Sequence, residues 1–508
     1  MEKLHPTMFA GTGSDVGKSI IAAAFCRIFR QDGYHPAPFK AQNMALNSYA
    51  TPEGLEIGRA QAVQAEAAGV PCHTDMNPLL LKPSSDHTSQ VVLNGRPIGN
   101  RSAYEYFRVE GREELRHEVC SAFDRLASRY NPIVMEGAGS ISEINLRDTD
   151  LVNLPMALHA GADVILVGDI DRGGVFASVY GSLMLLRPYE RERIKGILIN
   201  KFRGDIRLFE SGVKMLEELC GIPVVGVVPY YKDIYIEEED SLALATKSVQ
   251  TEQGKVNIAV VLLRHLSNFT DFNVLERDPR VHLFYTNNVD ELAKADIILL
   301  PGSKSTLADL HELRRNGVAQ AVIRAHREGA TVMGICGGYQ IMGQEVCDPD
   351  HVEGEIERLP GLGLLPVSTH MTGEKITRQI KFRLSAVARE NSHLSTDGMQ
   401  ANLEGYEIHM GTTVPVYDAP VSPLNLLEDG GADGYFLDRT CIGTYIHGIL
   451  DNPSFIDFLL EPFADKIADA GKSFDYHQFK EEQYNKLADH VRSHVDLLLI
   501  YKILTTHD

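Results

Sequence analysis

Gly11-Thr12-Gly13-Ser14-Asp15-Val16-Gly17-Lys18-Ser19 stands between a short apolar run and an alanine-rich stretch of helical length. This order predicts a strand, a glycine turn and a helix N-terminus, whose backbone N–H groups and dipole favour a bound phosphate. Lys18 is then placed to bridge β- and γ-phosphate oxygens, and the Ser19 hydroxyl to ligate Mg²⁺. The common P-loop pattern has four residues between its glycines, whereas five separate Gly11 from Gly17 here. The stretch predicts an ATP-binding site.

The rest of the first half alternates apolar runs of strand length with stretches of helical spacing, which is typical of parallel βαβ units. The spacing predicts helices over Gly58–Ala68, Ala103–Ser128 and Leu208–Leu219. We therefore expect an α/β fold whose first part is a doubly wound parallel sheet following the P-loop. Its candidate strands are Thr7–Ala10, Ala37–Lys40, Ile133–Glu136, Val164–Gly168, Ile197–Asn200 and Val224–Val227.

The composition changes between Tyr230 and Gly254, where the chain turns acidic and then polar without a clear period. We predict a linker at 231–254 between a first domain at 1–230 and a second α/β domain at 255–508, and expect the acidic run 237–240 to be a solvated face. The tail after Asp451 predicts amphipathic helices packed on the second domain. Candidate strands of that domain are Lys255–Leu263, Val281–Tyr285, Asp296–Leu300 and Thr331–Ile335.

The run Thr331-Val-Met-Gly-Ile-Cys336-Gly-Gly-Tyr-Gln340 is typical of a nucleophile elbow, a buried strand that ends in an exposed nucleophile before a helix. A helix N-terminus favours the thiolate form of such a cysteine. His447, just past a short β-rich run, is the candidate base, so Cys336 and His447 form a predicted catalytic dyad. Backbone N–H groups at Gly337 and in the Pro301–Ser303 turn are the expected oxyanion donors, since both follow strand ends.

The composition favours a cytoplasmic enzyme. The chain has 508 residues, 44% of them hydrophobic and 23% charged, and no run approaches the roughly 20 apolar residues that span a bilayer. The N-terminus shows no leader pattern, and seven cysteines without a Cys-x-x-Cys pair argue against disulfides and zinc. A net charge of −20 disfavours nucleic-acid and membrane partners, so an anionic substrate would need a local basic pocket.

Several motifs carry a family resemblance over nearly the whole chain. The P-loop with its extra residue, Phe39-Lys40, Thr51-Pro-Glu-Gly-Leu55 and Met135-Glu-Gly-Ala-Gly139 resemble dethiobiotin synthetase, and the second half resembles class I glutamine amidotransferases. The family that joins the two is the cobyric acid synthases, whose hallmarks resemble Phe39–Ser48, Val167–Ser178 and Gly405–Gly411. This resemblance implies ATP- and Mg²⁺-dependent amidation of peripheral carboxylates of a corrinoid, adenosylcobyrinic acid a,c-diamide, through acyl phosphates, with glutamine as nitrogen donor.

The resemblance also implies roles for residues of the first domain. Glu136 would be a second metal ligand with Ser19, Lys40 would contact the transferring phosphoryl group, and Asn200 would touch the adenine. Three polar residues stand at a predicted strand end: Asp169, Asp171 and Arg172. Ligands of α/β sheets bind at that edge, so we expect these residues to line the corrinoid-binding side of the site. Arg172 is the candidate anchor for a substrate carboxylate.

The usual amidotransferase triad is incomplete in this sequence. Class I enzymes commonly place a glutamate two residues after the histidine, where this chain has Ile449. Two alternatives stay open: Glu407, in Tyr406-Glu-Ile-His409, orients His447, or the enzyme uses a dyad.

Three other functions compete with this interpretation. CTP synthase shares both kinds of domain but should retain the His-x-Glu ending. Cobyrinic acid a,c-diamide synthase shares both chemistries, and the hallmark segments argue against it. A ParA- or MinD-like ATP switch with a non-catalytic amidotransferase fold needs an additional early P-loop lysine, which Gly11 to Val16 lacks. The sequence leaves open a homo-oligomer, the carboxylates that react and the path of ammonia.

Overall fold

A computed structural model describes residues 2–83, 88–102, 112–237, 251–392, 394, 402–468 and 474–505. The chain forms two compact units. The first unit comprises 1–45, 55–237 and 478–508, and the second comprises 46–54 and 238–477. No helix in the described ranges is both long and apolar enough to cross a membrane.

The first unit is built on a six-stranded parallel sheet. Its central strands are continuous apolar runs buried on both faces, as expected where helices cover both sides of a parallel sheet. All six predicted strands occur, with ends shifted by up to three residues. In spatial order they are Val224–Pro229, Ile194–Phe202, Asp163–Asp169, Thr7–Gly11, Ile133–Glu136 and Ala37–Phe39.

Helices connect these strands, including the three predicted from spacing. The first 9 residues of the predicted helix 103–128 lie outside the described residues, and the helix is described from Arg112. The α-helices of this part are Lys18–Gln31, Arg59–Ala68, Arg112–Ala127, Leu154–Ala160, Val175–Leu185, Pro188–Arg191 and Glu210–Cys220.

A small second sheet of this unit was not predicted from the sequence. Its strands are short and carry polar residues, so they give little of the apolar signal that marked the main sheet. They are Gln42–Met44, Leu79–Pro83, Thr88–Leu93 and Arg96–Ser102, and a further short strand is Glu56–Gly58.

The C-terminal helices correct one prediction. Tyr476–Arg492, from Gln478 onward, and Leu497–Thr505 belong to the first unit rather than the second. The Arg27 guanidinium lies 2.6 Å from the Glu481 carboxylate, and the Tyr484 hydroxyl donates to Glu66 at 2.9 Å. An amphipathic pattern shows that one face is buried but not which core it covers.

The first residues of the predicted linker, 231–237, belong to the first unit instead. Glu237 belongs to the first unit, where its buried carboxylate pairs with the Arg59 guanidinium at 2.7 Å. It is therefore not part of a solvated face. Residues 238–250, which include the rest of the acidic run, lie outside the described residues.

The second unit contains another six-stranded sheet, which confirms a second α/β fold. Five strands are parallel, and Tyr435–Asp438 pairs antiparallel at one edge. In spatial order the strands are Val281–Thr286, Val256–Val261, Ile297–Leu300, Thr331–Ile335, Cys441–Thr444 and Tyr435–Asp438. The helices are Val289–Leu292, Thr306–Arg315, Val318–Arg327, Gly337–Met342, Ala386–Glu390 and Pro453–Leu460.

A mixed sheet accompanies it, built on two long antiparallel strands, Val367–Leu384 and Leu403–Pro415. The sequence analysis identified Gly405–Gly411, within the second of these strands, as a family motif but did not predict a strand there. The shorter strands are Arg358–Pro360, Glu345–Cys347, Asn425–Leu427 and Ala432–Asp433; elsewhere in the unit lie Ser48–Ala50, Leu266–Ser267 and Gly302–Ser303.

Candidate active sites

The P-loop folds as predicted between the strand Thr7–Gly11 and the helix that begins at Lys18. Gly17, the residue before the helix, has φ +94°, a left-handed conformation that favours glycine. The Lys18 ammonium folds over the loop and donates to the carbonyl oxygens of Gly13 and Gly139, both at 2.9 Å. The loop therefore holds its lysine by backbone oxygens of two segments.

Glu136 is the centre of a buried polar cluster beside this loop. Its Oε1 accepts from the Ser19 hydroxyl and the Lys40 ammonium, both at 2.8 Å, and its Oε2 accepts from the Gln64 amide at 2.7 Å. The structure thus brings Ser19, Lys40 and Glu136 together, as the family resemblance implied. Gln64 was missed, because its position in an alanine-rich helix gives no signal of its own.

The electrostatics of this cluster favour an anion. Burial lowers the pKa of Lys18 to about 8, although the charge of Glu136 opposes the shift. Burial acts to raise the pKa of Glu136, but the Lys40 charge and hydrogen bonds from Lys40, Gln64 and Ser19 outweigh it and hold that pKa below its ordinary value. Two lysines thus converge on one carboxylate, and added negative charge would stabilise both ammonium groups.

Asn200 also reaches the P-loop. Its amide nitrogen donates to the Val16 carbonyl at 2.8 Å, and a Cβ atom on Gly17 would lie 2.2 Å from that nitrogen. Glycine at position 17 is therefore required by space as well as by backbone angle. The described contacts give Asn200 a role in holding the loop, and its contact with adenine stays a prediction.

The acidic pair at the neighbouring strand end is engaged by basic residues other than Arg172. Asp169 lies 3.0 Å from the Lys201 ammonium, and Asp171 accepts from the Arg203 guanidinium at 2.6 Å. The Arg172 side chain is 70% exposed and lies 3.5 Å from Asp15 of the P-loop. Its guanidinium is therefore at the surface beside the loop.

Cys336 has the geometry of a nucleophile elbow. It follows the strand Thr331–Ile335 directly, has φ +53° and ψ −111°, and precedes the helix Gly337–Met342. A left-handed conformation is strained for any residue with a Cβ atom, and such strain clusters at functional sites. The Cys336 thiol is buried and donates to the Ile408 carbonyl at 3.5 Å.

His447 is held by an aspartate that the sequence analysis did not identify. Its Nδ1 lies 2.7 Å from Asp271 Oδ2, while the other Asp271 oxygen accepts from the Gly448 N–H at 2.9 Å. Cys336 lies close enough to His447 for its charge to act on the imidazole and raise the pKa of that ring. The three side chains thus form a Cys–His–Asp arrangement. Class I enzymes commonly have a glutamate at the position of Ile449, and in this chain the carboxylate beside the histidine comes from Asp271 instead.

The environment of His447 favours its charged form. Burial acts to lower its pKa, but the charges of Asp271 and Cys336 and hydrogen bonds to both outweigh burial and raise the pKa to about 10. The raised pKa favours the imidazolium at neutral pH.

Glu407 does not orient His447, which corrects one of the two alternatives. Its carboxylate accepts from the Arg378 guanidinium at 2.5 Å. His409 stacks on the Tyr445 ring with centroids 3.8 Å apart, and its Nδ1 lies 2.8 Å from the Gly411 carbonyl. Burial lowers the pKa of His409 to about 4, so this imidazole is neutral.

The two predicted oxyanion segments lie together in the second unit. A Cβ atom on Gly337 would be 2.7 Å from the Ser303 nitrogen, and one on Gly302 would be 3.2 Å from Cε1 of His447. The turn at Gly302–Ser303 is thus next to both the elbow and the histidine. Backbone N–H groups in this position can stabilise an oxyanion formed at Cys336.

Both units match family models. Residues 7–243 match the CobQ/CobB/MinD/ParA nucleotide binding domain, and residues 257–455 match the CobB/CobQ-like glutamine amidotransferase domain. Curated relatives span the full chain. A cobyric acid synthase of Bacteroides fragilis is 82% identical over 507 residues, and one of Phocaeicola vulgatus is 74% identical over 507; each alignment covers 100% of both chains. One of Syntrophobacter fumaroxidans is 48% identical over 523 residues, covering 99% of each chain.

The nucleotide-binding fold and the cysteine elbow define the chain as a glutamine amidotransferase-type ligase with its own ATP-binding domain. The sequence identity to cobyric acid synthases over the full length of the chain then identifies the family within this class. The chain belongs to the cobyric acid synthase family.

Proposed function

We propose that the protein amidates peripheral carboxylates of adenosylcobyrinic acid a,c-diamide to give cobyric acid, with ATP activating each carboxylate and glutamine supplying ammonia. As a member of its family, it is a carbon–nitrogen ligase of cobalamin biosynthesis. The observation that carries the finer proposal is that each unit has its own reactive cluster: Lys18, Lys40 and Glu136 at the P-loop, and Cys336, His447 and Asp271 at the elbow.

In the proposed first reaction, an oxygen of a substrate carboxylate attacks the γ-phosphorus of ATP. The bond from that phosphorus to the β–γ bridging oxygen breaks, which gives an acyl phosphate and ADP. Lys18 and Lys40 offset the charge that spreads over the transferring phosphoryl group. Both ammonium groups are buried, where their charges act through less solvent than at the surface. Ammonia then attacks the acyl carbon, and inorganic phosphate leaves.

The donor set fits a magnesium ion. Mg²⁺ is commonly held by one or two carboxylates and hydroxyls together with substrate phosphates and water. Ser19 and Glu136 supply such oxygens within 2.8 Å of each other, and the buried Gln64 Oε1 beside them has no hydrogen-bond partner among the described residues. The ion would neutralise phosphate charge. Ser19 and Glu136 as its ligands are part of this proposal.

In the proposed glutaminase reaction, the Cys336 sulfur attacks the side-chain amide carbon of glutamine. The His447 imidazolium protonates the departing ammonia, and the resulting imidazole takes a proton from the water that hydrolyses the glutamyl thioester. Asp271 fixes the ring by accepting from Nδ1, so Nε2 faces the reaction. Gly337 and the Gly302–Ser303 turn supply the oxyanion donors.

Mass spectrometry of the corrinoid product tests the function directly. The protein is incubated with adenosylcobyrinic acid a,c-diamide, ATP, Mg²⁺ and glutamine, and in a parallel reaction with cobyrinic acid. Each amidation replaces a hydroxyl by an amino group, so the product mass counts the amides formed. Amidation confined to cobyrinic acid would identify a cobyrinic acid a,c-diamide synthase instead. Cytoplasmic location and a lack of nucleic-acid or membrane partners stay predictions, testable by cell fractionation and binding assays.

A further inference from the structure

One segment of the second unit comes from within the chain of the first. Residues 46–54 belong to the second unit, while both flanks, up to Ala45 and from Leu55, belong to the first. We call residues 46–54 the strap. Lys40 of the P-loop cluster lies only six residues before Leu46, and the strand Gln42–Met44 between them pairs with Leu79–Pro83 in the first unit. The strap is therefore covalently continuous with the proposed phosphoryl site.

The strap is fixed to the second unit by specific contacts. The Ser48 N–H donates to Asn268 Oδ1 at 3.0 Å, and the Gln379 amide donates to the Ala50 carbonyl at 2.9 Å. The Tyr49 ring meets the Tyr406 ring edge-on, with centroids 4.5 Å apart. Ser48 and Ala50 are fully buried. The strap is thus packed into the unit rather than lying on its surface.

Two of these three partners, Tyr406 and Asn268, contact residues of the proposed catalytic triad. The Tyr406 ring stacks on the His447 imidazole, with centroids 5.3 Å apart and planes 24° apart, and the two backbones exchange hydrogen bonds of 3.0 and 2.8 Å. Asn268 begins the turn that carries Asp271, whose N–H donates to the Asn268 carbonyl at 3.1 Å. The strap therefore reaches the histidine through Tyr406 and the aspartate through Asn268.

We propose that Tyr49 is a positioning residue that couples glutamine hydrolysis to the state of the ATP site. It holds Tyr406 against His447, and the short covalent path from Lys40 changes this packing when ATP and the corrinoid occupy the first unit. Such coupling prevents glutamine hydrolysis when no acyl phosphate has formed at the ATP site. The inference rests on the proposed function, because it assigns the strap a role in coordinating the two reactions.

The test compares glutamine hydrolysis with and without ATP, Mg²⁺ and corrinoid in wild type, Tyr49→Ala and Tyr49→Phe. Tyr417→Ala is the matched control, since Tyr417 belongs to the same unit and is 94% exposed. We expect Tyr49→Ala to lower the stimulated kcat by about tenfold, the size of a typical coupling between sites, with little change in the KM for glutamine. The stimulation ratio should fall toward one, and Tyr49→Phe should restore most of it because it keeps the ring.

Amidation with ammonium salts, measured on the same preparations, separates this inference from the proposed function. Amidation with ammonium does not need the glutaminase reaction, so its rate in every variant should equal the wild-type rate. A wild-type enzyme that fails to amidate the corrinoid with ammonium would overturn the proposed function. An unchanged stimulation ratio in Tyr49→Ala, a wild-type glutaminase indifferent to ATP and corrinoid, or equal loss in both Tyr49 variants would overturn the coupling role alone.

Discussion

Cys336 takes part only in the proposed hydrolysis of glutamine, so its replacement should abolish glutamine-dependent amidation and spare ammonium-dependent amidation. Cys336→Ala removes the attacking sulfur but leaves the P-loop cluster whole. We expect glutamine-dependent amidation to vanish, while high concentrations of ammonium salts still support it. Product formation with the two nitrogen sources measures this. A variant that still used glutamine, or that lost both activities equally, would remove Cys336 from its assigned role.

Asp271 should set the pH range of the glutaminase. Burial acts to lower the pKa of His447, and the charge of Asp271 is the largest of the interactions that raise it to about 10 instead. Asp271→Asn removes that charge, so the pKa of His447 should fall and the imidazolium should be lost at lower pH. We expect kcat/KM for glutamine to drop by about 10²-fold or more and its alkaline limb to move toward neutrality. An unchanged profile would mean that Asp271 only supports the fold. Glu407→Gln is the control, and its alkaline limb should stay in place.

The same pair should make stability depend on pH. The pKa of His447 rises from an ordinary 6.5 to about 10 on folding, so its contribution is full below pH 6.5 and disappears as pH rises through 10. Thermal unfolding from pH 6.5 to 10 should show a falling midpoint in wild type and a flatter dependence in Asp271→Asn. Parallel curves for the two proteins would contradict this assignment.

Arg172 is the candidate corrinoid anchor, and its exposure makes a clean test possible. Within the described part of the chain its guanidinium pairs with exposed Asp15 at 3.5 Å, so its removal should not disturb the loop. Arg172→Ala should raise the corrinoid KM by roughly 10-fold or more, as loss of a charged hydrogen bond of about 1.5–3 kcal/mol implies, with the ATP KM similar. Arg207→Ala, an exposed arginine paired locally with Asp205, serves as control. Wild-type kinetics in both variants would assign Arg172 to the surface.

At the scale of elements, the turn from strand to helix after Cys336 leaves no space for a side chain. A Cβ atom on Gly338 would lie 1.9 Å from the Leu300 carbonyl oxygen, in the neighbouring strand. Alanine favours a helix over glycine by about 1 kcal/mol, but a clash with backbone in a packed core costs about 1–3 kcal/mol or more. Gly338→Ala should therefore lower the unfolding free energy. Gly354→Ala, where a Cβ atom meets nothing within 4 Å, should be neutral in the same denaturation measurement.

Elements that depend on local pattern were predictable, and contacts between distant elements were not. Apolar runs located all six strands of the first main sheet and four of the six strands of the second, where Tyr435–Asp438 and Cys441–Thr444 were not among the candidate strands. The glycine motifs located the P-loop and the elbow. Asp271 escaped because 176 residues separate it from His447 and no spacing rule joins them. One signal was present: it follows the strand Val256–Val261, so it lies past a carboxyl strand end, where α/β sheets build their sites.

At the scale of the molecule, the C-terminal helices contribute to the core of the first unit. Their fully buried side chains include Leu487, Val491, Ile500 and Leu504. Burying one such side chain stabilises a fold by about 1.5–3 kcal/mol, so a chain ending at His477 should lose ammonia-dependent amidation and unfold at lower temperature. A chain lacking only residues 506–508 is the control. Activity and melting like wild type in the truncated chain would contradict this role.

The return of the chain to its first unit also has a consequence for biosynthesis on the ribosome. Residues 238–477 emerge after the main sheet of the first unit but before the helices that complete it. At about 5–20 residues per second, translation of this stretch takes roughly 12–48 s. During that interval the nascent first unit exposes the apolar surface that Leu487 and Ile500 later cover. Chaperones that bind exposed apolar surface should therefore engage the nascent chain in this window and release it after termination.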